Sequence, residues 1–377
     1  MRIYFDNAAT TPIGEKVLEA MMPYFIRFHG NPSSIHAEGR AARAAIENAR
    51  KQVAHCIGAS IGEIFFTSGG TESNNMALKC AVRDLGVARI ISSPLEHHCV
   101  LHSMAALRLQ DIDIQYVKFD KKGQIDLQHL EQLLAKTTDV KTLVTLMHAN
   151  NEVGTILNLQ KTAEICQKFG AFLHSDTVQT IGQYPINVTG LNIDFLSGSA
   201  HKFHGPKGVG FIYINSKNRV QPFMDGGSQE RNMRGGTENI YGIVGLATAL
   251  LSACDQMENR RQHVESLRNY CILNLKNQFS DILFNGDFDG DSLYKLLSVS
   301  FPNTPKTELL LLHLDIEGIS ASGGSACSSG VDAGSHVLAA LDPTDLRRTI
   351  RFSFSHKNTL KEIDFLIEKL KMITGLA

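Results

Sequence analysis

Short apolar runs of strand length alternate with stretches in which apolar residues recur every three or four positions through the first 255 residues. That alternation is the pattern of an α/β domain built on a largely parallel sheet. The runs predict strands at 63–67, 88–92, 112–117, 142–147, 171–175, 195–197 and 210–214. The helical pattern covers 14–28, 39–57, 71–85, 100–109, 127–134, 160–169 and 240–264. The texture then changes to a long charged helix around 255–278, strands near 282–284, 298–301, 318–321 and 349–354, and a closing helix over 360–373. The expected organisation is a large α/β domain over 15–255 and a smaller α+β domain made of 1–14 and 256–377.

Composition narrows the function classes. A formal net charge of −1 and the lack of a basic run of five or more argue against nucleic acid or an anionic membrane as the main partner. The longest apolar stretch, 240–253, is interrupted by Gly242, Gly245, Thr248 and Ser252, and falls short of the roughly 18 residues a membrane span needs. The N-terminus reaches Asp6 before any apolar signal region can form, so no secretory leader and a cytoplasmic location are expected. Seven cysteines, widely spaced and without a C-x-x-C pair, suit reduced thiols.

Four segments carry candidate chemistry. Thr67-Ser68-Gly69-Gly70-Thr71 follows a strand and opens a helix, where free N–H groups and the helix dipole favour an anion, most simply a phosphate; a Thr71 N-cap after a glycine turn is the plain alternative. The next strand of interest ends in Asp176, with Gln179 close behind, at the carboxyl edge where open α/β sheets bind ligands. Lys202 follows the small-residue run Ser197-Gly198-Ser199-Ala200. A phosphate cradle, a strand-end carboxylate and a lysine on a small-residue loop are together the parts needed for pyridoxal 5′-phosphate. In Ser322-Gly323-Gly324-Ser325-Ala326-Cys327-Ser328-Ser329-Gly330 a cysteine stands where neither strand nor helix interior fits, which predicts an exposed nucleophilic thiol. The other six cysteines fall in helical or apolar patterns and read as inert core thiols.

In order along the chain, Tyr4-Phe5-Asp6-Asn7-Ala8-Ala9-Thr10-Thr11-Pro12, Gly30-Asn31-Pro32-Ser33-Ser34, Phe66-Thr67-Ser68-Gly69-Gly70-Thr71-Glu72, Glu96-His97, His148-Ala149-Asn150-Asn151-Glu152, Ser199-Ala200-His201-Lys202, Arg234-Gly235-Gly236-Thr237, Gly324-Ser325-Ala326-Cys327 and Ile350-Arg351-Phe352-Ser353 resemble the cysteine desulfurases of the NifS/IscS type. These belong to the class V aminotransferase group of fold-type I pyridoxal phosphate enzymes. The resemblance implies that Lys202 holds the cofactor and moves the Cα proton, that Asp176 faces the ring nitrogen, and that Gln179 and Asn151 hydrogen-bond ring substituents. It implies further that His97 stacks on the ring, and that Gly70, Thr71, Ser199 and His201 bind the phosphate, with Thr237 reaching it from the neighbouring subunit of a homodimer. Arg351, supported by Asn31, is the implied fork for the substrate carboxylate, and Cys327 the thiol that takes sulfur from L-cysteine, leaving L-alanine. A sulfur-acceptor protein, such as an iron–sulfur scaffold or a tRNA thiolation enzyme, is the implied partner.

The chain departs from the family pattern in two places beside these residues: Val331-Asp332-Ala333-Gly334 stands where many members carry a Glu-Pro pair, and Thr177-Val178 follows Asp176 in place of Asp-Ala. It also ends at Ala377, before the longer tail of members that dock a scaffold protein. Within the superfamily the alternatives are a selenocysteine lyase, which would use the same site, and an aminotransferase, which has no need of a cysteine loop; outside it, the alternative is a non-catalytic cofactor-binding protein. No metal is expected, because His97-His98-Cys99 with His102 lacks a second ligand pair at zinc spacing. The acidic stretch 285–291 lacks a closing glutamate and reads as a surface turn, not a calcium loop.

Overall fold

A computed structural model of the protein describes residues 2–136, 139–323, 334–342 and 344–376. Its centre is a seven-stranded sheet in the order Ile64–Thr67, Gly210–Ile214, Phe195–Ser199, Phe172–Asp176, Thr142–Thr145, Arg89–Ser92 and Asp113–Tyr116. Gly210–Ile214 runs antiparallel to both neighbours and every other pairing is parallel. Only the edge strand Asp113–Tyr116 is largely exposed, as expected of strands covered on both faces by helices.

Alternation along each strand divides the apolar side chains between two layers. Phe66, Val144, Leu196 and Phe211 point to a layer formed by Glu15–Ile26, Ala37–Ile57, Leu127–Ala135, Leu159–Lys168 and Ile240–Asp255. Phe65, Leu143, Phe195 and Ile212 point to Gly70–Leu85 and His98–Arg108 on the opposite face.

A second core lies over a three-stranded antiparallel sheet with Leu296–Phe301 between Arg348–Ser353 and Leu283–Phe284. Helices Met257–Gln278 and Leu360–Thr374 cover it, and Ile3 and Phe5 from the N-terminus complete it. Ile3–Tyr4 pairs in parallel with Ile319–Ser320, so the first residues of the chain lie among its last elements.

The predicted strands and helices appear within a few residues of their expected ends, with one correction. The helix expected over 240–264 breaks at Gln256, where Ile240–Asp255 and Met257–Gln278 meet at 75°. The two segments serve different cores: Leu246 and Leu250 pack toward the large sheet, Val264 and Leu267 toward the small one, and one straight helix could not reach both. The short helices Leu310–Ile316 and His336–Leu341 lay outside the predicted set.

Five strands of the large sheet and Ile64–Thr67, which runs in the same direction, end on one edge, which brings Ser68-Gly69-Gly70, Glu96-His97, Asp176 and Ser199-Ala200-His201-Lys202 together from segments spread between positions 68 and 202 of the sequence.

Candidate active site

That edge opens into a cavity of about 330 Å³. Its floor is the glycine turn. Gly69 takes φ of 154°, a conformation glycine adopts without steric cost, and helix Gly70–Leu85 starts immediately after it. The turn lies so flat that a Cβ at Gly210 would come within 2.7 Å of Gly69 Cα, and one at Gly70 within 2.7 Å of Val178 Cγ2. Ser73 fastens the first helical turn, its hydroxyl 2.8 Å from Thr67 Oγ1 and 3.0 Å from the Phe211 carbonyl.

Asp176 closes its strand with the carboxylate accepting Asn74 Nδ2 at 2.7 Å and the Val178 N–H at 2.9 Å. Gln179 donates from Nε2 to the Ala8 carbonyl at 2.9 Å, while its buried Oε1 finds no partner among the described residues. Lys202 ends the short turn Ala200–Lys202 and donates from Nζ to the carbonyls of Ala8 and Ala9 at 2.6 and 2.8 Å. The N-terminal segment thus crosses from the second core to the lysine loop, where Thr11 also pairs with the His201 carbonyl at 2.8 Å. Burial first, then Lys202, Lys207 and Lys295, pull His201 down to about 4, so the ring is neutral at pH 7.

Arg351 is 1% exposed. Its Nη1 donates to the Asn151 carbonyl at 2.7 Å and its Nη2 to Ser322 Oγ at 2.9 Å and Asp6 Oδ1 at 3.0 Å, and Ser322 also bonds Asp6. Nε is buried without a partner among the described residues, an unsatisfied charged donor. His97 caps helix His98–Arg108, its Nδ1 accepting the Cys99 N–H at 3.2 Å.

Gly70, Thr71, His97, Asn151, Asp176, Gln179, Ser199, His201, Lys202 and Arg351 all line this cavity. Thr237 does not: it is exposed and lines a separate cavity of about 180 Å³ behind the glycine turn. Asn31 is also exposed, its Oδ1 accepting the Ser33 N–H at 2.9 Å. Cys327 lies outside the described residues. The sequence reading missed Asn74, which holds Asp176, and Asp6, which holds Arg351. It missed Lys295 as well, a buried lysine brought down to about 7 by burial, Lys202 and Arg351. Cys99, read as inert, belongs to the cavity wall.

The family model for aminotransferase class-V matches residues 3–366. The chain belongs to the class-V aminotransferase family. Within that family it stands with the cysteine desulfurases of the NifS/IscS type. It is 43% identical over 375 residues to the cysteine desulfurase IscS of Dictyoglomus turgidum, covering 98% of this chain and 94% of that one. Among solved structures, a NifS-like protein superposes with a TM-score of 0.92 at 38% identity over the whole of both chains. SspA in complex with cysteine superposes with a TM-score of 0.80 at 31% identity, covering 95% of this chain and all of that one. Such likeness over the full length gives the chain the fold-type I architecture of this family.

Proposed function

We propose that the protein is a pyridoxal 5′-phosphate-dependent cysteine desulfurase that converts L-cysteine to L-alanine and carries the sulfur as a persulfide on Cys327. The observation that carries this reading is the meeting, in one cavity, of the glycine turn, Asp176, Lys202 and Arg351. The residues fit the cofactor: the buried Oε1 of Gln179 and Oδ1 of Asn74 lack partners among the described residues, and the glycine turn leaves no room for a side chain at Gly70. Gly70, Thr71, Ser199 and His201 would hold the phosphate, Asp176 the ring nitrogen, Gln179 and Asn151 the ring substituents, and Lys202 the aldehyde carbon. Bound there, pyridoxal phosphate supplies an electron-withdrawing ring that stabilises negative charge at the substrate Cα.

The chain's own groups do the rest. Arg351 Nε and its neighbouring N–H groups receive the substrate carboxylate. Lys202 would take the proton from Cα, and His97, on the same cavity wall, would pack against the bound ring and assist proton transfer. The Cys327 thiolate attacks the substrate sulfur: a sulfur–sulfur bond forms as the Cβ–S bond breaks, and protons returned to the carbon skeleton complete alanine.

A homodimer is part of the proposal. Leu18, Met22, Phe25 and Ile26 lie exposed on one helix beside Tyr241, whose ring stacks on Phe25 at 4.2 Å, an apolar face suited to a second copy. The partner's Thr237 would then reach the phosphate. We also infer a cytoplasmic enzyme with a large domain over 15–255, a small one over 1–14 and 256–377, and an iron–sulfur scaffold or tRNA thiolation enzyme as sulfur acceptor. Borohydride reduction of the cofactor-loaded protein, digestion and mass spectrometry test the assignment. A phosphopyridoxyl group on the Lys202 peptide, lost in Lys202→Ala, is the expected result; modification at Lys295, or none, would contradict it.

A further inference from the structure

One thiol on the cavity wall has no part in this scheme. Cys99 sits in the first turn of His98–Arg108 and lines the cavity with His97, Asn74 and Thr71. Its Sγ lies 3.0 Å from His97 Nδ1 and accepts Asn74 Nδ2 at 3.1 Å, and the Thr71 hydroxyl also bonds the sulfur. The same Asn74 nitrogen donates to Asp176 Oδ2 at 2.7 Å.

The backbone decides the direction of these bonds. The Cys99 N–H points at His97 Nδ1 from 3.2 Å, and an amide N–H can only donate. Nδ1 is therefore the acceptor nitrogen, the ring proton belongs on Nε2, and the thiol hydrogen is a second donor to Nδ1. The sulfur then donates once, to His97, and accepts from Asn74 and Thr71.

We propose that Cys99 is a positioning residue for His97: its S–H, aimed by Asn74 and Thr71, holds the imidazole in the Nε2–H form and joins it to the Asp176 carboxylate in one hydrogen-bonded unit. The proposal rests on the reading of His97 as a group acting on cofactor and substrate.

The surroundings suit a donor and not a nucleophile. Burial first, then Asp176, with Glu96 adding, push the Cys99 thiol up to about 12, so its hydrogen stays in place at neutral pH. A thiol so held is a poor sulfur acceptor beside Cys327. The titratable groups that bear on His97 are Asp176, Lys202, His98 and His336; burial lowers its pKa most, Asp176 opposes this, and Lys202, with the neighbouring rings of His98 and His336, adds to the lowering.

The test compares Cys99→Ala, which removes the donor, with Cys99→Ser, which keeps one. In the cofactor-free full-length protein, imidazole nitrogen shifts of isotope-labelled histidine, assigned with His97→Gln, report the tautomer and titration of His97. Cys99→Ala is expected to raise the His97 pKa by about 0.5–1 unit, the size of one lost hydrogen bond, and Cys99→Ser to leave it in place. In the loaded enzyme the acid limb of kcat/KM for L-cysteine should move by the same amount. A raised ring pKa with an unmoved limb would support the positioning role and contradict the reading of His97 itself. An unchanged His97 titration in Cys99→Ala would overturn the proposal.

Discussion

The segment that leads to Thr237 begins with a turn that cannot hold itself. Glu230, Arg231 and Asn232 take φ of 45°, 56° and 67°, three consecutive non-glycine residues in the left-handed region. Each such residue costs about 1–2 kcal/mol, so the turn persists only because something else pins it. The pin is a buried fork: Arg50 Nη1 and Nη2 bond Glu230 Oε2 and Oε1 at 2.7 and 2.9 Å, and the Phe66 N–H adds a third bond at 2.7 Å. Arg50 is 2% and Glu230 5% exposed. Glu230→Gln keeps the shape and removes the charge, leaving Arg50 with the half-exposed Glu47 as its remaining carboxylate, 3.1 Å away. Breaking one side of such a pair costs about 3–5 kcal/mol, a large share of a typical domain's stability. The loss should be read as a lower urea midpoint, with faster tryptic cleavage after the exposed Arg231 as the turn relaxes, and weaker cofactor retention. Arg50→Met combined with Glu230→Gln should recover part of the loss, because the orphaned charge is gone. A single variant losing less than about 1 kcal/mol, with unchanged cleavage, would refute the argument that the ion pair holds the turn.

Arg351→Lys should lower kcat/KM for L-cysteine by about 30–100-fold, since an ammonium cannot reproduce the fork that bonds Asn151, Ser322 and Asp6; steady-state kinetics showing less than threefold would deny Arg351 its carboxylate role. Phe25→Asp should yield monomers in sedimentation, with cofactor lost on dilution, and an intact dimer would move the interface elsewhere. Acid stability should follow the buried histidines. His148 and His174 are brought by burial from 6.5 to about 4 in the folded chain, so the unfolded chain binds their protons first. Stability complete above pH 6.5 is then lost as pH falls toward 4, at about 1.4 kcal/mol per unit for each histidine. Urea midpoints that stay flat across this window would count against their neutral burial.

Much of the site was legible because glycine and small residues leave marks. The turn at Gly69-Gly70, the carboxylate at the end of an apolar strand and the lysine after Ser197-Gly198-Ser199 are each visible as a change of residue size at a strand end. The sheet order that brings them together was not, since register between distant strands leaves no local trace. Nor was the bend at Gln256: no glycine or proline stands there, and the break comes from two cores competing for one helix. Cys99 was misread because its apolar helical neighbours suggested a core position; its place one turn beyond a strand end, beside the capping His97, was the available signal. Asp6 and Asn74 act through Arg351 and Asp176, and such partners emerge only once the chain is folded.

The central claim is tested most directly by anaerobic turnover of L-cysteine with alanine and reductant-released sulfide quantified together, and Cys327→Ser run beside the intact enzyme. Equal alanine and sulfide, both lost in the variant while the cofactor's visible absorbance persists, is the predicted result. No alanine from the intact enzyme, or undiminished activity in Cys327→Ser, would contradict it.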